Sequence, residues 1–367
     1  MDKTLAWLWL AEAVGTAFPA AKELLELYPD PEQLYEGLRL GKEAPPLCLG
    51  DAAADKLCGT TPFDYEERYD HCLLSGVEVL TPDDPMYPAR LLDLPDLPLV
   101  LYATGDITCL NGQRYVGMVG TRRPGAYGRQ AAFELSLEMA KQGVVIVSGL
   151  ADGLDSEGHR AAVQAGVPTV AFLGTAIDKT YPAANGALRQ KLQACGGAVC
   201  SEYPPGYPAK MKGTFLERNR LIAGMSEALC VAEARTRSGT LNTVGHAHRY
   251  ARPVFAVPGS IYSPLSEGTN ELLRTHRAEP LCSAANVLEV LGIQGNAQPP
   301  QPKSTFDAAA VSADAKRIYD CLSQTPQSVE ELCTAAGLNV PQTAAALVEL
   351  EIFGGAEKQQ GERYIAK

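Results

Sequence analysis

The sequence has no C-x-x-C pair, although it contains ten cysteines at irregular spacings. That pattern argues against a structural zinc site and against a small disulfide scaffold. Ten thiols left unpaired suit a reducing cytosol. It also has no H-E-x-x-H and no paired His/Cys metal spacing. His246 and His248 are two residues apart, so on a helix they would face different ways. A Walker loop needs G-K-[ST], which is absent, and the dinucleotide fingerprint G-x-G-x-x-G is absent too. P-loop ATPases and NAD enzymes are thereby disfavoured. Apolar runs of about 18 residues, long enough to span a bilayer, are missing as well. The nearest approach is the opening LAWLWLAEAVGTAFPAAK, which Glu12 interrupts. It is read as an ordinary amphipathic helix and not as a signal peptide. The expectation is a cytoplasmic protein with no membrane contact, no cofactor and no metal.

What is present is a chain of 367 residues, 46% apolar, long enough for two or three domains. The net charge of −11 at first disfavours nucleic acid, but the charge is unevenly spread. Residues 1–110 hold 20 acids and 7 bases, residues 304–367 hold 9 and 5, and residues 111–303 hold 14 acids and 20 bases. Three segments carry the excess: 112–130, 207–222 and 235–252 sum to +11, leaving −22 for the rest. The pattern suggests one positive face on an acidic body.

Residues 4–60 are broken by prolines and glycines into short helical stretches. VEVL and PLVLYATG, within 76–106, are strand-like. Then comes a regular beat. Apolar runs at 115–119, 144–148, 169–173, 198–202, 229–233 and 253–257 recur every 24–31 residues, with helical patterns between them. Such spacing predicts a parallel sheet covered on both faces, a doubly wound Rossmann-like α/β domain. The expected layout is a small helical domain of SAM or helix-hairpin-helix type over 1–66, and the Rossmann-like domain with an N-terminal extension over 67–293. A proline-rich linker over 294–306 and a winged-helix-like domain over 307–367 follow. In that last domain, helices at 314–324, 328–336 and 341–351 precede a hairpin with its turn at Gly354–Gly355.

In an open α/β sheet, ligands bind beyond the carboxyl ends of the strands. The first such loop, within MVGTRRPGAYG (118–128), places two arginines between glycines ahead of a helix start. Such a loop is an anion cradle, and the arginines favour an exposed polyanion over a single nucleotide. The turn Ser238-Gly239-Thr240 offers backbone N–H groups and hydroxyls at another helix start. Tyr127, Tyr203, Tyr207 and Phe215 lie beside arginine and lysine, as rings do where single strands are held. Ser148, Asp152, Asp155 and His159 cluster in sequence, but Asp155 sits where a helix N-cap belongs and His159 can serve packing. The alternatives to a nucleic-acid binder are a nucleotide hydrolase using Asp152, Asp155 or Glu202, and a nucleotide sensor without chemistry.

The middle of the chain resembles the DNA processing protein A family (DprA, also called Smf). The resemblance rests on LPLVLYATGD (97–106), VGTRRPGAYG (119–128), SGLADGLDSEGHRAA (148–162), FLGTAIDKTYPAAN (172–185), SEYPPG (201–206), FLERNRLIAG (215–224), EARTRSGTL (233–241) and RPVFAVPG (252–259), in the family's order. The helical start and winged-helix-like end fit the family's three-part layout. The resemblance implies a dimeric, non-catalytic protein that binds single-stranded DNA taken up in natural transformation and loads RecA onto it. It also implies that Arg122, in V-G-T-R, contacts phosphate, and that Lys212, three residues before Phe215, contacts DNA with it. Charge and position add Gly120, Thr121, Arg218, Asn219, Arg220, Ser238, Gly239 and Thr240 as DNA-binding candidates. Two stretches depart from the family: Gly158 precedes His159 where alanine is usual, and Leu272-Leu273-Arg274-Thr275-His276-Arg277-Ala278 lacks a customary glycine. The tail carries −4 over 304–367, which suits a protein-contact or regulatory module better than a DNA-reading one.

Overall fold

A computed structural model of the chain describes residues 2–208, 213–293, 311–323, 325–359 and 361–366. The chain divides into two compact units, Met1–Ala297 and Gln298–Lys367.

The recurring apolar runs of the first unit become one sheet of nine strands. They are β1 (Glu78–Leu80), β2 (Leu101–Gly105), β3 (Arg114–Val119), β4 (Val144–Ser148), β5 (Thr169–Leu173), β6 (Ala198–Ser201), β7 (Ala228–Val231), β8 (Val254–Ala256) and β9 (Glu279–Pro280). Their order is β1-β2-β6-β5-β4-β3-β7-β8-β9. From β6 to β9 every neighbouring pair is parallel, while β2 runs antiparallel to β6 and to β1. Every residue of β4 to β8 is buried, which is why those strands read as unbroken apolar runs.

Alternation along β3 sends side chains into two cores. Val116 and Met118 pack with helices Ala126–Lys141 and Ala284–Val290 on one face. Tyr115 and Val119 pack with Thr214–Met225 and Thr240–Arg249 on the other. The opening helices belong to this second core: Trp7, Trp9, Leu24, Leu34 and Leu57 are continuous with Tyr102, Phe172 and Leu229. The first helix, Lys3–Val14, differs from its expected amphipathic character. Six consecutive residues, Leu5 to Leu10, are buried, because neighbouring helices and the sheet enclose it on several sides. Among the described residues no helix is long and apolar enough to cross a membrane.

The second unit holds helices Ala313–Cys321, Val329–Ala336 and Val340–Ile352, with strands β10 (Gln327–Ser328), β11 (Ala356–Gln359) and β12 (Arg363–Ala366). The strands pair antiparallel in the order β10-β12-β11, and Ile318, Leu332, Leu347, Leu350 and Tyr364 fill the core. This is a winged helix. Capping boxes at Ser328/Glu331 and Asn339/Gln342 start its second and third helices. The hairpin turn is placed differently from the sequence expectation. Gly354 and Gly355 join the last helix to β11, and the turn between β11 and β12 contains Gly361 at φ 80°. A Gly-Gly pair marks a helix end as readily as a hairpin. The linker expected over 294–306 lies outside the described residues.

Candidate nucleic-acid interface

The strand order reverses between β3 and β7, and a cavity of about 240 Å3 opens beyond their carboxyl ends. Ligand sites of doubly wound sheets fall at such a switch point. Its lining brings together Gly120, Thr121 and Arg122 from the β3 loop and Ser238, Gly239 and Thr240 from the β7 loop. Phe215, Arg218 and Asn219, from the helix Thr214–Met225, complete it with Asp155. Nine of the expected residues thus share one wall although they are far apart in sequence. Lys212 lies outside the described residues.

Local geometry explains how the loops fit. The β3 loop crosses the β4 loop closely: Leu154 N donates to Thr121 O at 3.3 Å, and a Cβ on Gly153 (φ 78°) would strike Thr121 O and the Arg122 backbone. Leu150, fully buried, also has positive φ (52°), a strained conformation held by Asn185 Nδ2 donating to Leu150 O at 2.9 Å. Asp155 accepts from Gly149 N at 3.1 Å and fastens the same loop. It is not the N-cap expected from sequence. Gly153 holds that position and Asp155 sits in the first turn. At the β7 loop, the Ser238 hydroxyl is turned inward: it accepts from Thr240 N (3.2 Å) and donates to Thr240 Oγ1 (2.9 Å), bracing the turn ahead of the helix.

The arginines separate into two kinds. Arg122 is exposed and its guanidinium has no ion pair among the described residues. It lies 5.1 Å from the Phe215 ring centroid, a cation–π contact. Arg123, Arg235 and Arg237 are likewise exposed and unpaired among the described residues. Arg218 and Arg220 differ from the expectation in exposure, at 3% and 1%. Arg218 lies beneath the cavity and donates to Gly149 O (2.8 Å) and to Phe172 O. Burial lowers it to about 10, the Asp155 carboxylate opposing this and the Arg122 charge adding to it. Arg220 is absent from the lining and pairs with Glu202, itself raised by burial. Arg114, Arg129 and Arg249 pair with Glu227 (2.9 Å), Glu157 (3.2 Å) and Asp96 (3.1 Å). The positive excess counted along the sequence is therefore partly neutralised from within, and the free charge gathers on the loops after β3 and β7.

Sequence reasoning missed Glu233. At 3% exposure it follows β7, and its carboxylate accepts from Gly125 N (3.0 Å) and from Gly128 N. These are the N–H groups at the start of helix Ala126–Lys141, where a Rossmann fold holds pyrophosphate. A Cβ on Gly128 would fall onto the Glu233 carboxylate, so glycine is needed for this approach. The anion cradle in MVGTRRPGAYG is filled by the protein's own side chain. Glu233→Ala should lower stability by about 1–2 kcal/mol, the cost of a lost helix cap. Millimolar sulfate should then raise the melting temperature of the variant and not of the wild type. Equal melting temperatures for variant and wild type would refute the cap.

The remaining polar cluster does not assemble for nucleophilic catalysis. Ser148 Oγ donates to Met118 O at 2.6 Å. Thr169 Oγ1 donates to Ile146 O at 2.6 Å, so His159 Nδ1 donates to Thr169 at 2.8 Å. Burial, reinforced by the Arg218 charge, lowers His159 to about 3 and keeps it neutral. Tyr203, 4% exposed, donates to Glu217 at 2.9 Å and belongs to the core. Among the described residues no cluster of His, Cys, Asp or Glu could hold a metal, and all ten cysteines are free.

Fold and site together define a doubly wound α/β protein whose switch-point cleft offers free arginines while its nucleotide phosphate position is occupied from within. Residues 78–292 match the family model of DNA recombination-mediator protein A, and residues 299–362 match the DprA winged helix domain. The chain belongs to this DprA/Smf family. Protein Smf of Synechocystis is 31% identical, covering 90% of this chain and 92% of that protein. The DNA processing protein DprA of Streptococcus pneumoniae is 37% identical over 66% of this chain and 87% of that one. The crystal structure of the Streptococcus pneumoniae protein covers 79% of this chain and 98% of that one at 31% identity, with a TM-score of 0.59. A structure of DNA processing protein A from Helicobacter pylori, described for its single-stranded DNA binding mode, covers 59% of this chain and 95% of that one. Its identity is 32% and its TM-score 0.53.

Proposed function

We propose that this chain is a non-catalytic single-stranded DNA-binding protein. It protects incoming DNA and loads a RecA recombinase onto it during natural transformation, working in the cytoplasm as a homodimer. The observation that carries the DNA reading is the pairing of an exposed, unpaired Arg122 at the switch-point cavity with Glu233 in the pyrophosphate position. A mononucleotide loses its usual cradle, whereas a polyphosphate backbone can run along the exposed arginines. The single-stranded DNA binding of the Helicobacter pylori relative supports it. The hydrogen bonds that engage Ser148, Asp155 and His159 with other partners support a role without catalysis.

In this reading Arg122 grips phosphate, with Gly120, Thr121, Ser238, Gly239 and Thr240 forming the wall beside it. Phe215 and Asn219 complete the groove, Lys212 adds charge to the set, and Arg218 and Arg220 hold the helix that carries Phe215. Anisotropy of labelled single-stranded and duplex oligonucleotides at two salt concentrations tests it. Tight, salt-sensitive binding that prefers the single strand is expected; equal weak binding to both would overturn it. The acidic winged helix acts as a protein-contact or regulatory module. Deleting 304–367 should therefore leave single-strand affinity within about threefold, well under the tenfold that 1.4 kcal/mol represents. A larger loss would assign DNA contacts to the tail.

A further inference from the structure

We propose that Tyr181 is a nucleobase platform that sets the direction in which the strand leaves Arg122, an inference that rests on the single-strand reading above. Phe215, the ring expected to stack with bases, is hemmed in. The Arg122 guanidinium stands over it at 5.1 Å, and a Cβ on Gly174 would lie 2.7 Å from its Cδ1. Tyr181 packs against it with centroids 5.5 Å apart and planes tilted by 45°. Phe215 therefore orients Arg122 and is half-buried, whereas Tyr181 is 41% exposed and its hydroxyl has no partner among the described residues.

The backbone beneath Tyr181 is fastened on both sides. Arg189 donates to Ile177 O at 2.7 Å and to Lys179 O at 3.3 Å, on the approach to the tyrosine. Beyond it, Asn185 donates to Leu150 O (2.9 Å) and to Ser156 Oγ (3.0 Å). A large exposed ring on a clamped loop, one ring beyond an unpaired arginine, is the arrangement by which proteins hold single strands. Stacking on the ring face tolerates any base, and loses little entropy because the loop is already ordered. The row Arg122, Phe215, Tyr181 leads the strand from the β3 loop toward the β5 loop, and away from β8.

The test compares an oligothymidylate with an abasic oligonucleotide of equal length, using the full chain and fluorescence anisotropy. Tyr181→Ala should weaken oligothymidylate binding roughly 5- to 100-fold and leave the abasic strand unchanged. Tyr181→Phe should restore the loss, since the ring face is what stacks. Arg122→Gln should weaken both ligands, because both carry phosphate. If Tyr181→Ala holds oligothymidylate as tightly as wild type, or loses both ligands equally, the platform is overturned and the single-strand reading stands. A wild type that holds neither ligand overturns that reading, and the platform with it.

Discussion

Replacing Arg122 by glutamine should lower affinity for single-stranded oligonucleotides about 10- to 100-fold and leave thermal stability unchanged. The size follows from a hydrogen bond between charged partners, worth about 1.5–3 kcal/mol. Stability should not move because the guanidinium is exposed, forms no ion pair among the described residues, and offsets its attraction to Asp155 by its repulsion of Arg218. The slope of log affinity against log salt should fall by about 0.7, the release expected for one contact on a single strand. Arg122→Lys should recover only part of the loss, since a lysine keeps the charge but gives up the planar fork and the stacking. An unchanged salt slope in Arg122→Gln would remove this residue from the phosphate-contact set.

Arg218→Met should behave in the opposite way, costing about 3–5 kcal/mol of stability, the range for removing one partner from a buried charge network. The guanidinium is 3% exposed and ties the carboxyl ends of β4 and β5 together through Gly149 O and Phe172 O. A Cβ on Gly149 would fall onto it, so the loop is shaped around this side chain. Without it two carbonyls lose their donor and Asp155 keeps its buried carboxylate with less opposing charge. Urea unfolding measures the cost. The fraction that remains folded should bind DNA with the wild-type salt slope. A variant of wild-type stability with a reduced slope would instead make Arg218 a direct phosphate contact.

The contrast between these two arginines shows where sequence patterns stop being informative. Arg122 and Arg218 both lie in basic segments that follow predicted strands, and composition treats them alike. Their burial is set by the β5 and β4 backbones beneath one and by solvent above the other. Glu233 was illegible for a similar reason. It lies more than a hundred residues from Gly125 and Gly128, whose N–H groups it accepts, and only the adjacency of β7 to β3 joins them. Tyr181 carried no charge signal, and its significance comes from a contact between its loop and Phe215 on a separate helix. β9, two exposed residues long, has no pattern to detect.

Periodicity by itself determined the doubly wound core, because strands buried on both faces must be apolar throughout and their helices must fill the intervals. It likewise determined the winged helix, and charge, position and the family resemblance together placed nine candidate residues on what became one cavity. The tertiary structure alone decided which cations are free, which anion fills the helix start, and which ring is exposed. The physical reason is that charge neutralisation and exposure are pairwise, short-range properties of groups brought together by chain crossings, and sequence distance carries no measure of them.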